Sequence, residues 1–389
     1  MFVRKVYKKY HEKLLAIVQK KCKAHGIPLS KKTTEAFEAL PRHLFVHQFR
    51  SWKDGYWHKL NSENLSEHLE ELYEDQPLRI YKKKLFHATI SQPTIVFEML
   101  ELLEIKAGMN IFELGTGSGW NAALMAYLTG SKGKITTSEL IPSLCFQAID
   151  TYKKLNINNI DVILNDGTKA YQKNAPYDRI IFTAADNELS KVFFDQTKSQ
   201  AIIIFVYKTN IHLDLLIVLC KTNNYFYSKH SFLCRFVSSL HLNSKQNPGL
   251  NKIKWPAKRP LHQGTLNLSA YERINFLFFL SISEKNFKTL TPLNRDMKHT
   301  HTLTYEDSIT FINEDYYETY ENLKSIKTLL DALKRWREIN KPQIINYSLE
   351  VHHKNSKLEV LNNQWLIKKN KSQFLWKLES QKQPSGIKY

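Results

Sequence analysis

The chain reads as an α/β protein built on an open sheet, with a second, smaller α+β unit behind it. Three observations lead there. The stretch Asn110 to Asn121, NIFELGTGSGWN, passes from an apolar strand-like run through a glycine turn into a run of helix formers, Trp120 to Leu128. Strand, tight turn and helix in that order open a βαβ unit. Short apolar runs then alternate with helix-patterned segments as far as Cys220. Near Asn243 the composition changes, and residues 244–264 collect Pro248, Gly249, Pro256, Pro260 and Gly264, the pattern of a linker or long loop. The expected division is an N-terminal helical region over 1–75, an α/β domain over 76–243 and a C-terminal extension over 244–389.

The elements follow in order. Residues 1–32 hold ten Lys or Arg and one acid, Glu12. Val3, Val6, Tyr10, Leu14, Ile17 and Val18 share a helical face, so this is an amphipathic helix with a basic outer side, expected to pack on the domain, with binding to nucleic acid or a membrane as the alternative. Pro41 marks a helix boundary in Ala39 to Val46, ALPRHLFV. Trp52, Tyr56 and Trp57 are expected in core or lid packing, with a binding platform as the alternative, and residues 61–72 in an acidic helix. In His87 to Pro93, HATISQP, alternation puts Thr89 and Ser91 on one side of an extended strand. Pro93 opens the helix Thr94 to Leu103, for which Ser91 is expected to serve as an N-cap.

After the glycine turn, Ile135 to Leu140 is a strand and Pro142 to Leu155 a helix. Asp161 to Leu164, Arg179 to Thr183, Ala201 to Tyr207, His212 to Cys220 and Phe232 to Leu240 are further strands. In the extension, Ser269-x-x-Glu272 is a capping box before the helix Ile274 to Ile282. Thr302 to Ile312 reads as strand or hairpin. Leu323, Ile326, Leu330, Leu333 and Trp336 form a helical stripe ended by Pro342. Tyr347 to Val351 and Leu358 to Leu361 read as strands, and Trp365 to Leu378 carries two Trp among lysines.

Composition narrows the class. A chain of 389 residues with 42% apolar residues can bury a sizeable core. The net charge of +19 favours acidic partners, whether nucleic acid, an anionic membrane face or acidic protein segments, and the even spread of Lys and Asn gives compositional bias as the other explanation. Four cysteines at 22, 145, 220 and 234 show no paired spacing, which fits a reducing, cytoplasmic setting without a disulfide framework. No signal peptide pattern and no apolar run long enough to span a membrane are expected. His299, His301, His352 and His353 lack an acid or Cys at ligand spacing, so no metal is expected.

The chemistry gathers at the glycine turn. Its GxGxG spacing departs from the GxGxxG of dinucleotide sites, and no Lys-Ser/Thr follows as in a P-loop. An acid, Glu113, precedes the turn, and Glu139 follows 20 residues past Gly119. A carboxylate at the tip of a second strand can accept from both hydroxyls of a ribose. Asp166, in the turn Asn165-Asp166-Gly167, can accept from the exocyclic amine of adenine. Thr183-Ala184-Ala185 lies at the carboxyl edge of the sheet, where open α/β folds bind ligands.

Together these residues resemble the S-adenosylmethionine site of class I methyltransferases. The order PRHLFV, YEDQPL, TISQP, FEMLELL, FELGTGSGWNAAL, NDG and PYDRIIFTAA is more specific, and resembles the protein-L-isoaspartate O-methyltransferase family over roughly residues 30–240. The resemblance implies a doubly wound, Rossmann-like methyltransferase sheet with a modified C-terminal part. It implies a protein or peptide substrate methylated on an isoaspartyl carboxylate, with Ser91 at the family's active-site serine and Thr89 beside it. Glu113 and the glycines would hold the methionine part of S-adenosyl-L-methionine, and Glu139 its ribose. The expected cofactor residues are Glu113, Gly115, Thr116, Gly117, Ser118, Gly119, Asn121, Glu139, Leu140, Asp166, Gly167 and Thr183.

There are departures. Tyr81 to His87 has no glycine, about twenty residues are inserted between PRHLFV and YEDQPL, and Ser199-Gln200 replaces the family's Gly-Gly. The extension, with LLDALKRWREINKP and NYSLEV, resembles that of longer bacterial relatives. Some of those tailor an aspartate of a ribosomally made peptide, which is the alternative function. A nucleic-acid methyltransferase is a further alternative suggested by charge, but Thr183-Ala184-Ala185-Asp186 stands where amino-directed base methyltransferases carry Asn/Asp-Pro-Pro-aromatic. A cofactor-binding module without catalysis is a third. The extension itself reads as a substrate-recruiting domain or as a lid over the sheet edge.

Overall fold

The computed structural model describes residues 2–83, 86–238, 252–293, 300–314 and 316–379, without the side chains of 2–6 and 252. The expected contributions of Val3, Val6, Pro248, Gly249 and His299, and the boundary at 243/244, lie outside what is described.

A ten-stranded sheet organises the fold. Its strands are β1 (Asn110–Leu114), β2 (Lys134–Glu139), β3 (Ile160–Leu164), β4 (Tyr177–Phe182), β5 (Thr197–Lys208), β6 (Asp214–Lys221), β7 (Tyr225–Cys234), β8 (Tyr347–His353), β9 (Gln364–Lys368) and β10 (Ser372–Leu378). Their spatial order is β9-β10-β8-β7-β6-β5-β4-β1-β2-β3. β1 to β5 pair in parallel, and every pair from β5 to the far edge is antiparallel. The chain winds outward from β1 to β3, then returns to the other side of β1 at β4. That reversal opens a crevice at the carboxyl ends of the strands. Central strands are continuous apolar runs because both faces are covered: Ile202 to Val206 and Leu215 to Leu219 are all buried.

The N-terminal helix Phe2–Ala24 buries His11, Leu14, Val18 and Cys22 and turns its lysines outward. The insertion forms a small hairpin, Gln48–Arg50 with Trp57–Lys59. Only Phe49 of it enters the core, whereas Trp52, Tyr56 and Trp57 are 55%, 72% and 41% exposed, contrary to the packing expected of them. Ser51 Oγ and the Trp52 N–H both bond the buried Glu71 carboxylate, and this fixes the loop with its aromatic rings turned out.

The extension is woven into the main sheet. β8 pairs with β7, and Phe374 and Trp376 of β10 pack on Tyr207 of β5 at ring distances of 5.2 and 6.0 Å. The capped helix Ala270–Ser283 covers them, with Phe278 at 5.2 Å from Trp376. A six-stranded sheet lies beyond, built around Trp255, Phe311 and Tyr320. The helix Lys324–Glu338 buries Ile326, Leu329, Leu333 and Trp336, while Leu323 and Leu330 of the expected stripe are 51% and 44% exposed. Leu358 to Leu361 is loop rather than strand: Leu361 is exposed and the turn through Asn363, at φ 58°, delays the strand to Gln364. The strand expected over Phe232 to Leu240 ends at Cys234 within the described residues, because the Phe236 N–H is captured by the Asp214 carboxylate, and residues 239 and 240 of that expectation lie outside them.

Candidate active site

A cleft opens at the carboxyl ends of β1 to β4. It brings together Thr89, Ser91, Glu113, Gly115, Thr116, Gly117, Ser118, Asn121, Glu139, Leu140, Asp166, Gly167 and Thr183, every residue expected there except Gly119. Gly119 stands behind the turn at φ 82°, and a Cβ on it would meet the Tyr152 hydroxyl at 2.5 Å, so its role is packing.

The glycine turn is tied from three sides. Gly115 and Thr116 donate to the Ser138 carbonyl at 3.0 and 3.2 Å. The Thr183 hydroxyl reaches from β4 to the Leu114 and Gly115 carbonyls at 2.9 and 2.6 Å. Its oxygen fills the space of a Gly115 Cβ, 2.4 Å away, and Gly115 has φ 99°, so both space and backbone require glycine there. The third tie is Glu139, whose carboxylate accepts from the N–H groups of Gly117, Leu140 and Ile141 at 2.9, 2.8 and 2.9 Å. Burial raises its pKa against the pull of these donors.

Glu113 is entirely buried. Its two oxygens accept from Thr137 Oγ1 at 2.5 Å and Asn121 Nδ2 at 2.7 Å. Burial pushes its pKa up to about 7 despite those bonds, and the nearby Glu139 charge adds to the rise. The side chain thus fixes Asn121, whose Oδ1 is buried without a hydrogen-bond partner. Asp166 Oδ1 is engaged by the N–H and hydroxyl of Thr168 at 3.0 and 2.7 Å.

Thr89 and Ser91 come to this cleft on a hairpin, Leu78–Lys83 with Phe86–Ile90. The Thr89 carbonyl lies 3.5 Å from where a Gly117 Cβ would be, so hairpin and turn are in contact. Ser91 is not a helix cap: Gln92 holds the N-cap position of the helix Pro93–Leu102, and Asp75 bonds the Thr94 N–H at 2.9 Å. Among the described residues neither hydroxyl is committed to a protein partner.

The sequence reading missed several contributors. Val237 and Ser238, beyond β7, close one wall, placed by the 2.8 Å bond from the Ala185 N–H to the Val237 carbonyl. No periodicity marks such an excursion. Arg42, in PRHLFV, is fully buried and bonds the Ser91 carbonyl. An Arg beside Pro in an apolar run was a usable signal, since a buried guanidinium must find acceptors. Among the described residues no group of His, Cys, Asp and Glu could hold a metal ion.

A family model described as protein-L-isoaspartate(D-aspartate) O-methyltransferase matches residues 11–244. Protein-L-isoaspartate O-methyltransferase 2 of Archaeoglobus fulgidus is 39% identical over 170 residues, 44% of this chain and 68% of its own length. The protein-L-isoaspartate O-methyltransferase of Ignicoccus hospitalis is 35% identical over 200 residues, 51% of this chain and 84% of its own length. A solved protein-L-isoaspartate O-methyltransferase structure shares the fold with a TM-score of 0.55 at 20% identity, over 88% of this chain and 96% of that one. That coverage exceeds what residues 1–243 can supply, so the likeness of fold continues into the extension. The match over most of the α/β region, together with the cleft it frames, places the chain in the protein-L-isoaspartate(D-aspartate) O-methyltransferase family of S-adenosyl-L-methionine-dependent methyltransferases.

Proposed function

We propose that the cleft methylates isoaspartyl carboxylates of proteins or peptides, with Ser91 and Thr89 holding the carboxylate and the glycine turn holding the cofactor. The observation that carries this reading is the meeting of two separate elements at one cavity. The hairpin brings uncommitted hydroxyls against a turn whose Gly115 and Gly117 line the same cavity.

The residues fit the cofactor. The orphaned Asn121 Oδ1 suits an ammonium donor on the methionine part. Glu139 uses three acceptor positions on the N–H groups of Gly117, Leu140 and Ile141 and keeps capacity on Oε2 for a ribose hydroxyl. Asp166 stands at the tip of β3 for the adenine amine. When bound, S-adenosyl-L-methionine supplies a sulfonium methyl that a carboxylate oxygen takes up, leaving a methyl ester and S-adenosylhomocysteine.

A carboxylate of ordinary pKa, near 4, is already ionised at neutral pH, so the chain need not remove a proton. Its work is to orient the carboxylate and exclude water, and orientation alone can lower a barrier by about 7–11 kcal/mol. The Ser91 and Thr89 hydroxyls donate to the substrate oxygens. Ser91→Ala tests this: kcat is expected to fall while the cofactor Kd, read by calorimetry, stays unchanged. An unaltered kcat contradicts the role given to Ser91.

A further inference from the structure

We infer that Arg42 is a positioning residue that sets Ser91 against the glycine turn. The inference rests on the reading of Ser91 given above. The Arg42 side chain is 0% exposed, and the described hydrogen bonds of its guanidinium run to main-chain carbonyls. One terminal nitrogen bonds the carbonyls of Leu72 at 3.0 Å and Glu74 at 3.1 Å. The other bonds Gln76 at 2.7 Å, Ile90 at 3.4 Å and Ser91 at 3.0 Å. Its Nε is buried without a partner. The guanidinium carbon lies 5.9 Å over the ring of Trp120, the first residue of the helix that leaves the glycine turn.

One buried cation thus touches three pieces of chain that meet nowhere in sequence: the loop 72–76, the end of the hairpin at Ser91 and the helix behind the glycines. Burial lowers its pKa to about 9, so it remains charged at neutral pH. Burying a guanidinium costs free energy that a hydrophobic side chain would not, and the nearby Asp75 charge offsets only part of that cost. The arrangement therefore points to geometry rather than stability as its use.

Asp75 holds the same segment from the other side. Its carboxylate accepts from Gln92 Nε2 at 3.1 Å, from the Thr94 N–H at 2.9 Å and from the Thr94 hydroxyl at 2.7 Å, and Lys21 neutralises it at 2.7 Å. Ile90 to Thr94 is fixed by its carbonyls to Arg42 and by its donors to Asp75. The Ser91 main chain is thereby held, so its hydroxyl can aim only along the staggered rotamers that this backbone allows.

Arg42→Lys keeps the charge but loses the planar fork, which can no longer reach both Gln76 and Ser91. In the whole enzyme this variant is expected to lower kcat by roughly tenfold to a hundredfold, as small misplacements of reacting groups do. Cofactor affinity is expected to stay the same. The deciding measurement is a double-mutant cycle with Ser91→Ala. If Arg42 acts through Ser91, Arg42→Lys changes kcat by less than about twofold once the serine hydroxyl is gone. Effects that multiply overturn the inference, as does a fall in cofactor affinity parallel to kcat, which marks a merely structural residue. If Ser91→Ala alone leaves kcat unchanged, the reading of Ser91 fails and this inference with it. Should Arg42→Lys not fold, Asp75→Asn enters the same cycle, with the same outcomes deciding.

Discussion

Glu113 has no exposed atom, and burial pushes its pKa up to about 7 from an ordinary value of 4.5. Between those two values the folded protein keeps a proton that the unfolded chain has released. Stability from this group is therefore full below the unfolded value and is lost as pH rises through the folded one. The thermal midpoint of the cofactor-free protein is expected to fall between about pH 5 and pH 7.5, and Glu113→Gln to flatten that fall. Equal slopes in both proteins contradict it. Gln200 offers a second test at this scale. It sits at φ 61°, where the pairing of β4 with β5 jumps from Tyr177–Thr197 to Arg179–Ile202. A side chain in left-handed backbone costs about 1–2 kcal/mol, part of which glycine gives back through its freer unfolded chain. Gln200→Gly is expected to stabilise the protein by about 1 kcal/mol in urea unfolding, and a destabilised variant contradicts the strain. The sequence reading noticed that glycines were missing here but had no way to see the bulge that makes glycine fit.

At the scale of elements, motifs with local causes were legible. The capping box at Ser269 and Glu272 forms as read, because both bonds are made within one turn. The strand–turn–helix at the glycines was legible because backbone conformation dictates its composition. What depended on distant partners was not. Trp52, Tyr56 and Trp57 look like core residues by type, yet the bonds from Ser51 and Trp52 to Glu71 turn the loop outward. Ser91 looks like a cap until Asp75, far back in sequence, takes that place. The extension gives the element-scale prediction. Removing residues after Ser244 strips β8, β9 and β10, uncovers the part of the β7 edge that β8 pairs, Tyr225 to Tyr227, and bares Tyr207 of Phe374 and Trp376. Uncovered edges pair with one another. The truncated protein is expected to aggregate, seen as loss of the monomer peak in light-scattering chromatography. A folded monomer that keeps cofactor affinity would instead favour a separable recruiting domain.

At the scale of the molecule, the cleft is assembled from parts that lie far apart in the chain. The carboxyl ends of β1 to β4 provide the cofactor wall, the hairpin at Thr89 and Ser91 the opposing wall, and Ser238 a rim. Among the described residues no lysine lines this cavity, so the net charge of +19 is a poor guide to the partner. Among the described residues no helix is long and apolar enough to cross a membrane. The central claim is that this cleft transfers a methyl group to a carboxylate held by the hairpin. The most direct measurement incubates the whole protein with methyl-labelled S-adenosyl-L-methionine and a pair of peptides that differ only in carrying isoaspartate or aspartate at one position. Base-labile methyl ester is expected on the isoaspartyl peptide, little on the aspartyl one, and slower labelling with Ser91→Ala. Label that is stable to base, or absent from every carboxyl substrate while the cofactor still binds, would contradict it.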